Sequence, residues 1–351
     1  MTAELGPSIS DFEIRSNPSL RGTKAASFFI DDTIWTLRDI ARLHPKSIFD
    51  HPFLSMLRNA HERYGLKVQL NLFWRTDFYY GVDEFTLQEM SDAYRREWQA
   101  SRDWLKLGFH SLQEFPDYPW INMDAEGVLS VFDRESREVE RFAGGDVFAQ
   151  AAVPHWSPMS RAGVEALKSR RVKLMECTAG VRRAYTGDRG CLPYGHAMRL
   201  ETNRKQETAL FTRDSRDDAI ASSACGYNHL TPEQLAATEN SFSYVHDNTT
   251  GMDFKHLFGD APILNLVDVP TLVVDTERLL GREYLVFSDH EQYFFTDYVA
   301  YQRDYAEKVA VMSRMMAENG YRFIFLEDVV GDSPVMTHER PAMEKSAREP
   351  K

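Results

Sequence analysis

The sequence predicts an α/β protein built on a distorted barrel of seven or eight (β/α) units. Short apolar runs typical of β-strands alternate along the chain with stretches in which apolar residues recur at helical spacing. Such alternation favours a parallel sheet whose two faces are covered by helices. An open doubly wound sheet is the alternative, but no G-x-G-x-x-G sequence follows the first strand, which disfavours it.

The predicted units follow one another from the first apolar strand onwards. The strand "AASFFID" is followed by "SIFDHPFLSMLRNAHERYG", whose apolar residues lie at helical spacing and whose Gly65 is a helix stop. Next come the strand "KVQLNLFW", the helix "DEFTLQEMSDAYRREWQASRDWL", the strand "KLGFHS", a helix over 128–143, the strand "AAVPHWS", a helix over 158–170 and the strand "VKLMECTA". The strands "APILNLV", "EYLVFSDH" and "YRFIFLEDV", with a long helix around 297–319, complete the pattern.

One barrel domain over residues 26–330 accounts for this alternation. It leaves an N-terminal extension at 1–25 and a C-terminal tail at 331–351, both expected to be weakly ordered or draped over the surface. The stretch from about 180 to 260 is polar and rich in Gly, Asn, Thr and Asp, which predicts a long insertion over one face of the barrel. Insertions of this length usually border the active site, here as a lid or as an oligomer contact.

Composition and charge limit the partners and the compartment. The chain of 351 residues has a net charge of −12 and a pI near 5.4, which argues against nucleic acid or an anionic membrane as the main partner. The first residues show no signal peptide, and no apolar run approaches the ~20 residues of a membrane span. Cys177, Cys191 and Cys225 form no C-x-x-C pair, so we expect thiols and a cytoplasmic location. The expected partner is a small carbohydrate or amide substrate, and the composition is compatible with a homo-oligomer.

Polar residues stand at the C-terminal ends of several predicted strands. Asp31 and Asp32 end the first strand, and His110, His155 and His290 each end a later one. A parallel barrel brings these ends to one rim, where barrel enzymes keep their catalytic groups. Taken singly, either aspartate could cap the following helix, and His110 could be a hydrogen-bonded core residue. Their shared placement favours a functional site.

Aspartate and histidine together suit a borderline divalent ion such as zinc. His110 and Glu114 are four residues apart, so both could bind one metal if the turn between them is helical. Asp31, as the spare carboxylate beside Asp32, could serve as general base for water at the metal. A histidine across the pocket could protonate a leaving group.

This pattern resembles the polysaccharide deacetylase (carbohydrate esterase family four) superfamily, whose fold is a distorted (β/α) barrel. Its first motif, T-F-D-D, is similar to "FFIDD", which implies that Asp31 is the base and Asp32 a metal ligand. Its second motif, H-S/T-x-x-H, is similar to "HSLQE", which implies His110 as a ligand and places Glu114 at the second ligand position. The histidine that ends a late strand in the family corresponds to His290, implied as the catalytic acid.

The chain also departs from the family pattern. The middle motif, usually Arg and Pro ahead of an aromatic residue, reads "VPHWSP" here, which makes His155 a candidate for the nitrogen ligand that Glu114 does not supply. Thr33 stands where the family has Gly. The resemblance covers about 25–330 and implies a divalent metal, with zinc expected. The candidate substrate-binding residues are Trp35, Arg75, Trp156 and His196.

The leading interpretation is a metal-dependent hydrolase that deacetylates, or otherwise cleaves an amide or ester of, a small sugar-like substrate. One alternative keeps the fold but runs a metal-independent C–N hydrolysis, or a lyase or isomerase reaction on a sugar. Another is a catalytically inactive barrel that only binds carbohydrate. Metal content discriminates between the first interpretation and the other two.

Overall fold

A computed structural model describes residues 12–76, 84–115, 119–120, 123–179, 227–230 and 232–331. Its strands are β1 (Phe12–Ser16), β2 (Ala25–Thr33), β3 (Val68–Phe73), β4 (Leu105–Ser111), β5 (Ala151–Ala152), β6 (Leu174–Glu176), β7 (Thr178–Ala179), β8 (His229–Leu230), β9 (Ser243–Asp247), β10 (Asp253–Lys255), β11 (Tyr284–His290) and β12 (Arg322–Phe323). Its α-helices are α1 (Trp35–Leu43), α2 (Pro52–Tyr64), α3 (Arg95–Ser101), α4 (Ala125–Phe142), α5 (Arg161–Ser169), α6 (Pro232–Thr238), α7 (Val269–Leu279) and α8 (Tyr305–Glu318).

The first predicted strand lies in the middle of a parallel sheet. The order is β11-β2-β3-β4, and β12 pairs with the start of β2. Every residue of β2 is buried, as expected for a strand with both faces covered. In register, Phe28 lies opposite Phe287 on one side and Val68 on the other. This part of the prediction is confirmed: the chain is a mixed α/β protein with a parallel sheet and covering helices.

A second sheet has the strand order β5-β6-β10-β9-β1. Its strands β5, β6 and β10 are parallel, and β9 and β1 pair antiparallel with their neighbours. A single bridge between Leu107 and Phe148 joins β4 to the segment before β5, and Ala149 N donates to the Leu107 carbonyl over 2.7 Å. On the other side, Ile263 and Ser288 form one bridge next to β11. Among the residues described, no ladder joins β10 to β11. The predicted barrel is therefore not seen as a closed one.

Parts of the predicted N-terminal extension and insertion belong to the sheet. Strand β1 pairs antiparallel with β9, so that Ile14 lies opposite Val245. A hairpin joins β9 to β10. In its turn, Thr249 and Thr250 donate hydrogen bonds to the Asp247 carboxylate, and Gly251 has a φ of 71°. The polar composition of this part of the insertion is thus that of a tight turn. The rest of the predicted insertion, 180–226, and the tail beyond 331 lie outside the described residues.

The long helix predicted over residues 83–105 is wrong in extent over 84–105, the part of it that the structure describes. Two short 3-10 turns, Leu87–Glu89 and Asp92–Tyr94, precede the seven-residue helix α3. Ser91 accepts a hydrogen bond from Ala93 N, which starts a new turn there. The Arg141 guanidinium donates to the carbonyls of Met90 and Leu87, so a side chain from a distant helix binds this segment between its two turns.

Three predicted strands are short or missing for local reasons. "AAVPHWS" contributes only β5, because Pro154 has no N–H to donate and Trp156 and Ser157 have φ values of 65° and 66°. "APILNLV" forms a 3-10 turn over Leu264–Leu266, and "YRFIFLEDV" forms only β12 followed by another 3-10 turn. The other predicted strands and the helices α2, α4, α5 and α8 are present, with α8 starting later than predicted.

Within the described ranges, no helix is both long enough and apolar enough to cross a bilayer.

A buried carboxylate on β11 predicts a pH dependence of stability. Asp289 is fully buried, and one oxygen accepts a hydrogen bond from His290 N over 2.9 Å. Burial raises the pKa of Asp289 to about 8, against that hydrogen bond and the charge of Lys308. Between about pH 4 and 8 the folded state therefore keeps a proton that the unfolded state has lost, and the free energy of unfolding falls as pH rises.

Asp289→Asn removes this titration. We expect the variant to gain stability relative to the wild type between pH 5 and pH 8, by roughly 1 kcal/mol per pH unit at most. Urea unfolding followed by circular dichroism at both pH values measures the difference. A gap between the two proteins that is constant or shrinks toward pH 8 contradicts the prediction.

Candidate metal centre

Three electron-pair donors from three different strand ends converge at the carboxyl edge of the parallel sheet. Asp32 Oδ1 lies 3.1 Å from His110 Nε2 and 3.4 Å from His155 Nδ1, and the two ring nitrogens are 3.1 Å apart. All three side chains are buried. Among the described residues, this is the group whose atoms could hold a metal ion.

Backbone carbonyls determine which ring nitrogens carry hydrogen. His110 Nδ1 donates to the Val153 carbonyl, and His155 Nε2 donates to the Glu114 carbonyl over 2.9 Å. A carbonyl oxygen can only accept, so in a neutral imidazole the other nitrogen carries a lone pair. Two ring lone pairs and the Asp32 carboxylate therefore face one another and repel unless a cation or a proton lies between them.

The triangle of donor atoms has the size of a zinc site. Tetrahedral zinc with bonds of about 2.0–2.1 Å to nitrogen and oxygen separates its ligand atoms by about 3.3 Å. The observed separations of 3.1–3.4 Å match this value without any movement of the chain. Each imidazole is also oriented by a carbonyl on its outer nitrogen, as is usual for histidine ligands.

The end of β2 is bent so that neighbouring aspartates both point into the site. Asp32 has a φ of 60°, and the pairing of β2 with β3 shifts register between Ile30 and Thr33. Without this irregularity, Asp31 and Asp32 would point to opposite faces of the sheet. A non-glycine residue in this conformation costs on the order of 1 kcal/mol, although aspartate tolerates it better than most.

Neither aspartate caps the helix that follows. The first N–H groups of α1, those of Ile34, Trp35 and Thr36, donate to the carboxylate of Glu291 over 2.7, 2.7 and 2.9 Å. The capping alternative for Asp31 and Asp32 is therefore excluded, and both carboxylates are available to the site.

The two imidazoles are held by packing as well as by hydrogen bonds. His155 N donates to the His110 carbonyl over 3.1 Å, which ties the segment after β5 to the end of β4. The Phe73 ring packs against both imidazoles, with centroid separations of 5.4 and 5.1 Å. The Trp120 indole donates to the His110 carbonyl, so both ends of that residue are anchored.

Asp31 lies beside the three donors and is as deeply buried as Asp32. Its Oδ1 accepts a hydrogen bond from Asn71 Nδ2 over 2.7 Å and lies 3.7 Å from His110 Nδ1. Burial raises the pKa of Asp31 to about 7; the charge of Asp32 adds to the rise, and His110 and Asn71 oppose it. A carboxylate with such a pKa can take up a proton near neutrality, as a general base requires.

Asp32 behaves in the opposite way. Burial raises its pKa, but when a proton lies between Asp32 and the His110 or His155 ring, the resulting hydrogen bonds and the charge of His290 hold the pKa of Asp32 well below its ordinary value. Asp32 is therefore an ionised carboxylate across the working pH range. Two adjacent carboxylates with separated pKa values can divide the tasks of ligand and base.

His290 is the last residue of β11 and lies opposite Asp31 in the strand register. Its Nδ1 is 3.0 Å from Asn265 Oδ1, an acceptor, so this nitrogen carries hydrogen. The ring is half-buried, in contrast to the buried donors of the metal centre. His290 is close enough to the donors for its charge to lower the pKa of Asp32.

Glu114 differs from its prediction. Residues 112–114 form bends after β4 and not a helical turn, so the four-residue spacing from His110 does not bring both side chains to one point. The Glu114 carbonyl accepts from His155, and one carboxylate oxygen lies 3.4 Å from Gln292 Nε2. Its carboxylate is not among the three converging donor atoms. His155 supplies the third donor instead.

The predicted substrate-binding residues have different outcomes. Trp35 is 2% exposed and packs between Phe295 and Tyr298, so its ring cannot stack on a sugar, and that prediction is wrong. Trp156 is partly exposed and packs edge-on against the His155 ring, and Arg75 donates to Gln113 over 2.5 Å. Both of these residues stay predictions. The remaining one, His196, lies outside the described residues.

The sequence interpretation missed several polar residues that surround the donors. Gln69 Nε2 donates to Asn71 Oδ1, which orients Asn71 toward Asp31. Gly108 makes room for this pair, since a Cβ there would lie 2.5 Å from Gln69 Nε2 and 2.7 Å from Asn71 Oδ1. An alternation of polar residues within the otherwise apolar β3 was the available signal.

A second carboxylate–imidazole pair lies at the ends of β6 and β10. Glu176 is buried, accepts from Leu257 N over 2.7 Å, and lies 3.5 Å from His256 Nδ1, which also contacts the Cys177 carbonyl. The charge of Glu176 contributes to the raised pKa of Asp31. His256 follows its strand just as the other site histidines follow theirs, but the polar sequence around it concealed the strand.

No family model matches this chain, and no curated protein matches it. Among solved structures, it is similar to a family 4 acetyl xylan esterase from Clostridium thermocellum in complex with a cobalt ion, at 11% identity over 87% of this chain and 90% of that chain, with a TM-score of 0.37. It is similar to a 4-alpha-glucanotransferase from Thermococcus litoralis, at 10% identity over 88% of this chain and 40% of that chain, with a TM-score of 0.47. It is also similar to a deacetylase with substrate, at 8% identity over 88% and 92% of the two chains, with a TM-score of 0.37. Similarity this remote carries no information on reaction or substrate.

Proposed function

We propose that this protein is a hydrolase that depends on a divalent metal and cleaves an amide or ester bond of a small sugar-like substrate. The observation that carries the proposal is the convergence of two imidazole lone pairs and one carboxylate oxygen at the separations of a zinc site. Zinc is the ion we propose, since a mixed nitrogen and oxygen donor set suits it.

Asp32, His110 and His155 would hold the ion. When bound, the ion supplies a Lewis acid that polarises the scissile carbonyl and lowers the pKa of water. Glu114 is left out of the proposed ligand set, because its carboxylate is not among the converging donor atoms.

Two residues of this chain would move protons. Asp31 takes a proton from the attacking water, since its pKa of about 7 lets it act as a base near neutrality. His290, on the strand next to Asp31, donates a proton to the departing nitrogen or oxygen, and Asn265 fixes the orientation of its ring. Arg75 and Trp156 are the proposed contacts to the rest of the substrate.

Metal analysis combined with an acyl-release assay tests the proposal. Purified protein is analysed for zinc and incubated with N-acetylated and O-acetylated mono- and disaccharides, and released acetate is measured. We expect close to one zinc per chain, acetate release from at least one substrate, loss of the activity on chelation and its recovery on adding zinc.

Two outcomes argue against the proposal in different ways. Zinc bound without acyl release from either substrate set contradicts hydrolysis of acetyl groups and favours a lyase, an isomerase or a carbohydrate-binding protein. Absence of metal even after reconstitution contradicts the metal centre itself.

A further inference from the structure

Glu291 joins two strand ends of the site. It directly follows His290, is fully buried, and its two carboxylate oxygens accept the first three backbone N–H groups of α1. That helix begins just after the bent end of β2, which carries Asp31 and Asp32.

This cap differs from the caps of two other helices, α4 and α7. Helices α4 and α7 are capped by the residue just before them, Asp124 and Asp268, each of which accepts one N–H within its own turn. Helix α1 has Ile34 at that position, whose side chain offers no acceptor, and takes its cap from a residue more than 250 positions away. The chemistry is that of an ordinary cap, but the connection is between distant parts of the site.

The connection acts on the metal donors through a very short segment. Only Thr33 separates Asp32 from Ile34, the first residue whose N–H the Glu291 carboxylate binds. Asp32 itself has a φ of 60°, a conformation that the surrounding structure must hold in place. Loss of the acceptor would leave three buried N–H groups unpaired, and the turn would move to satisfy them.

We propose that Glu291 is a positioning residue of the metal centre, which holds the turn at Asp32 and thereby sets the affinity of the site for a divalent ion. The inference rests on the proposed metal-dependent function. It adds a residue that contacts neither the ion nor substrate and acts through the backbone of its neighbours.

The test compares two variants with the same chemical change. Glu291→Gln and Asp268→Asn each replace a capping carboxylate by an amide, at α1 and at α7. Zinc affinity of the full chain is measured by competition with a chromophoric chelator, and thermal unfolding of the metal-free protein is followed in parallel. We expect Glu291→Gln to lower zinc affinity about 10–100-fold, as outer-shell changes typically do, and Asp268→Asn to leave it within about 3-fold of the wild type.

Glu291→Asp keeps the charge and is expected to bind zinc more tightly than Glu291→Gln. If the glutamine variant does not fold, Glu291→Asp is compared with the wild type instead. In that comparison, Glu291→Asp is expected to bind zinc more weakly than the wild type. The inference is overturned if Glu291→Gln binds zinc with wild-type affinity or, where that variant does not fold, if Glu291→Asp does. A lower unfolding temperature of the metal-free variant does not change this conclusion, because the role of Glu291 is then structural only. A wild-type protein that binds no zinc overturns the proposed function and this inference with it.

Discussion

His110→Ala is expected to abolish zinc binding and hydrolysis while the protein stays folded. The imidazole supplies one of the three donor atoms, and its loss leaves Asp32 and His155 with a gap that no other donor of the group fills. We expect zinc affinity to fall by more than about 100-fold, beyond what is usual for changes outside the ligand set. The same competition assay used for Glu291 measures this effect.

A matched control exists on another pair of strands. His246 Nδ1 lies 2.7 Å from Asp253 Oδ1, between β9 and β10, and repeats the imidazole–carboxylate contact outside the candidate metal centre. His246→Ala removes a comparable contact and is expected to keep wild-type zinc affinity and activity. Equal zinc affinity in His110→Ala and the wild type would contradict the ligand assignment.

Asp32→Asn separates charge from shape at the same centre. The amide occupies the space of the carboxylate but carries no negative charge, and Asp32 is the carboxylate whose pKa is held well below its ordinary value. We expect zinc affinity to fall by at least as much as in the Glu291 variant. If the variant retains zinc but loses activity, Asp32 is not a ligand, and its role is that of the base instead.

The convergence of donors could be predicted from sequence because it depends on one rule. Parallel strands end at a common edge, so Asp32 after β2, His110 after β4 and His155 after β5 meet there wherever the strands are adjacent. Apolar runs that end in a charged or imidazole side chain are visible in the sequence, and so was the order of the first strands. The roles of these residues stay predictions.

The local geometry of the site could not be predicted in this way. The spacing of His110 and Glu114 suggested a shared ligand set only under a helical turn, and the chain bends instead so that a carbonyl, not a carboxylate, serves the site. Glu291 caps a helix far away in sequence, and no local pattern encodes such a contact. Trp35 shows the same limit, because the rings that pack against it, those of Phe295 and Tyr298, are far away in sequence.

The sequence also could not predict whether the barrel closes. Alternation of strands and helices predicts a parallel sheet, but closure requires the last strands to be long enough to pair along their length. Here β5, β6, β10 and β12 have only two or three residues each. The prediction of long strands failed where proline, positive φ or 3-10 turns intervened, all of which interrupt hydrogen-bond ladders.

Asp31→Asn is expected to lower kcat/KM by about 10²–10⁴-fold while zinc affinity stays within a few-fold of the wild type. Asp31 accepts a hydrogen bond from Asn71 and is not one of the three converging donors, so its loss removes a proton acceptor without removing a ligand. Steady-state kinetics on zinc-loaded protein and the chelator competition measure the two quantities separately.

The pH–rate profile gives a sign that a structural effect would not reproduce. Burial raises the pKa of Asp31 to about 7, and a bound cation beside it lowers that value. A base must be ionised to act, so wild-type kcat/KM should rise with pH through a limb at or below about pH 7, and this limb should vanish in Asp31→Asn.

Asp289→Asn is the matched control, since Asp289 is an equally buried carboxylate with a raised pKa that lies outside the group of donors. If both asparagine variants keep the limb, another group titrates in it, and if both lose activity equally, burial and not base catalysis accounts for the effect of Asp31.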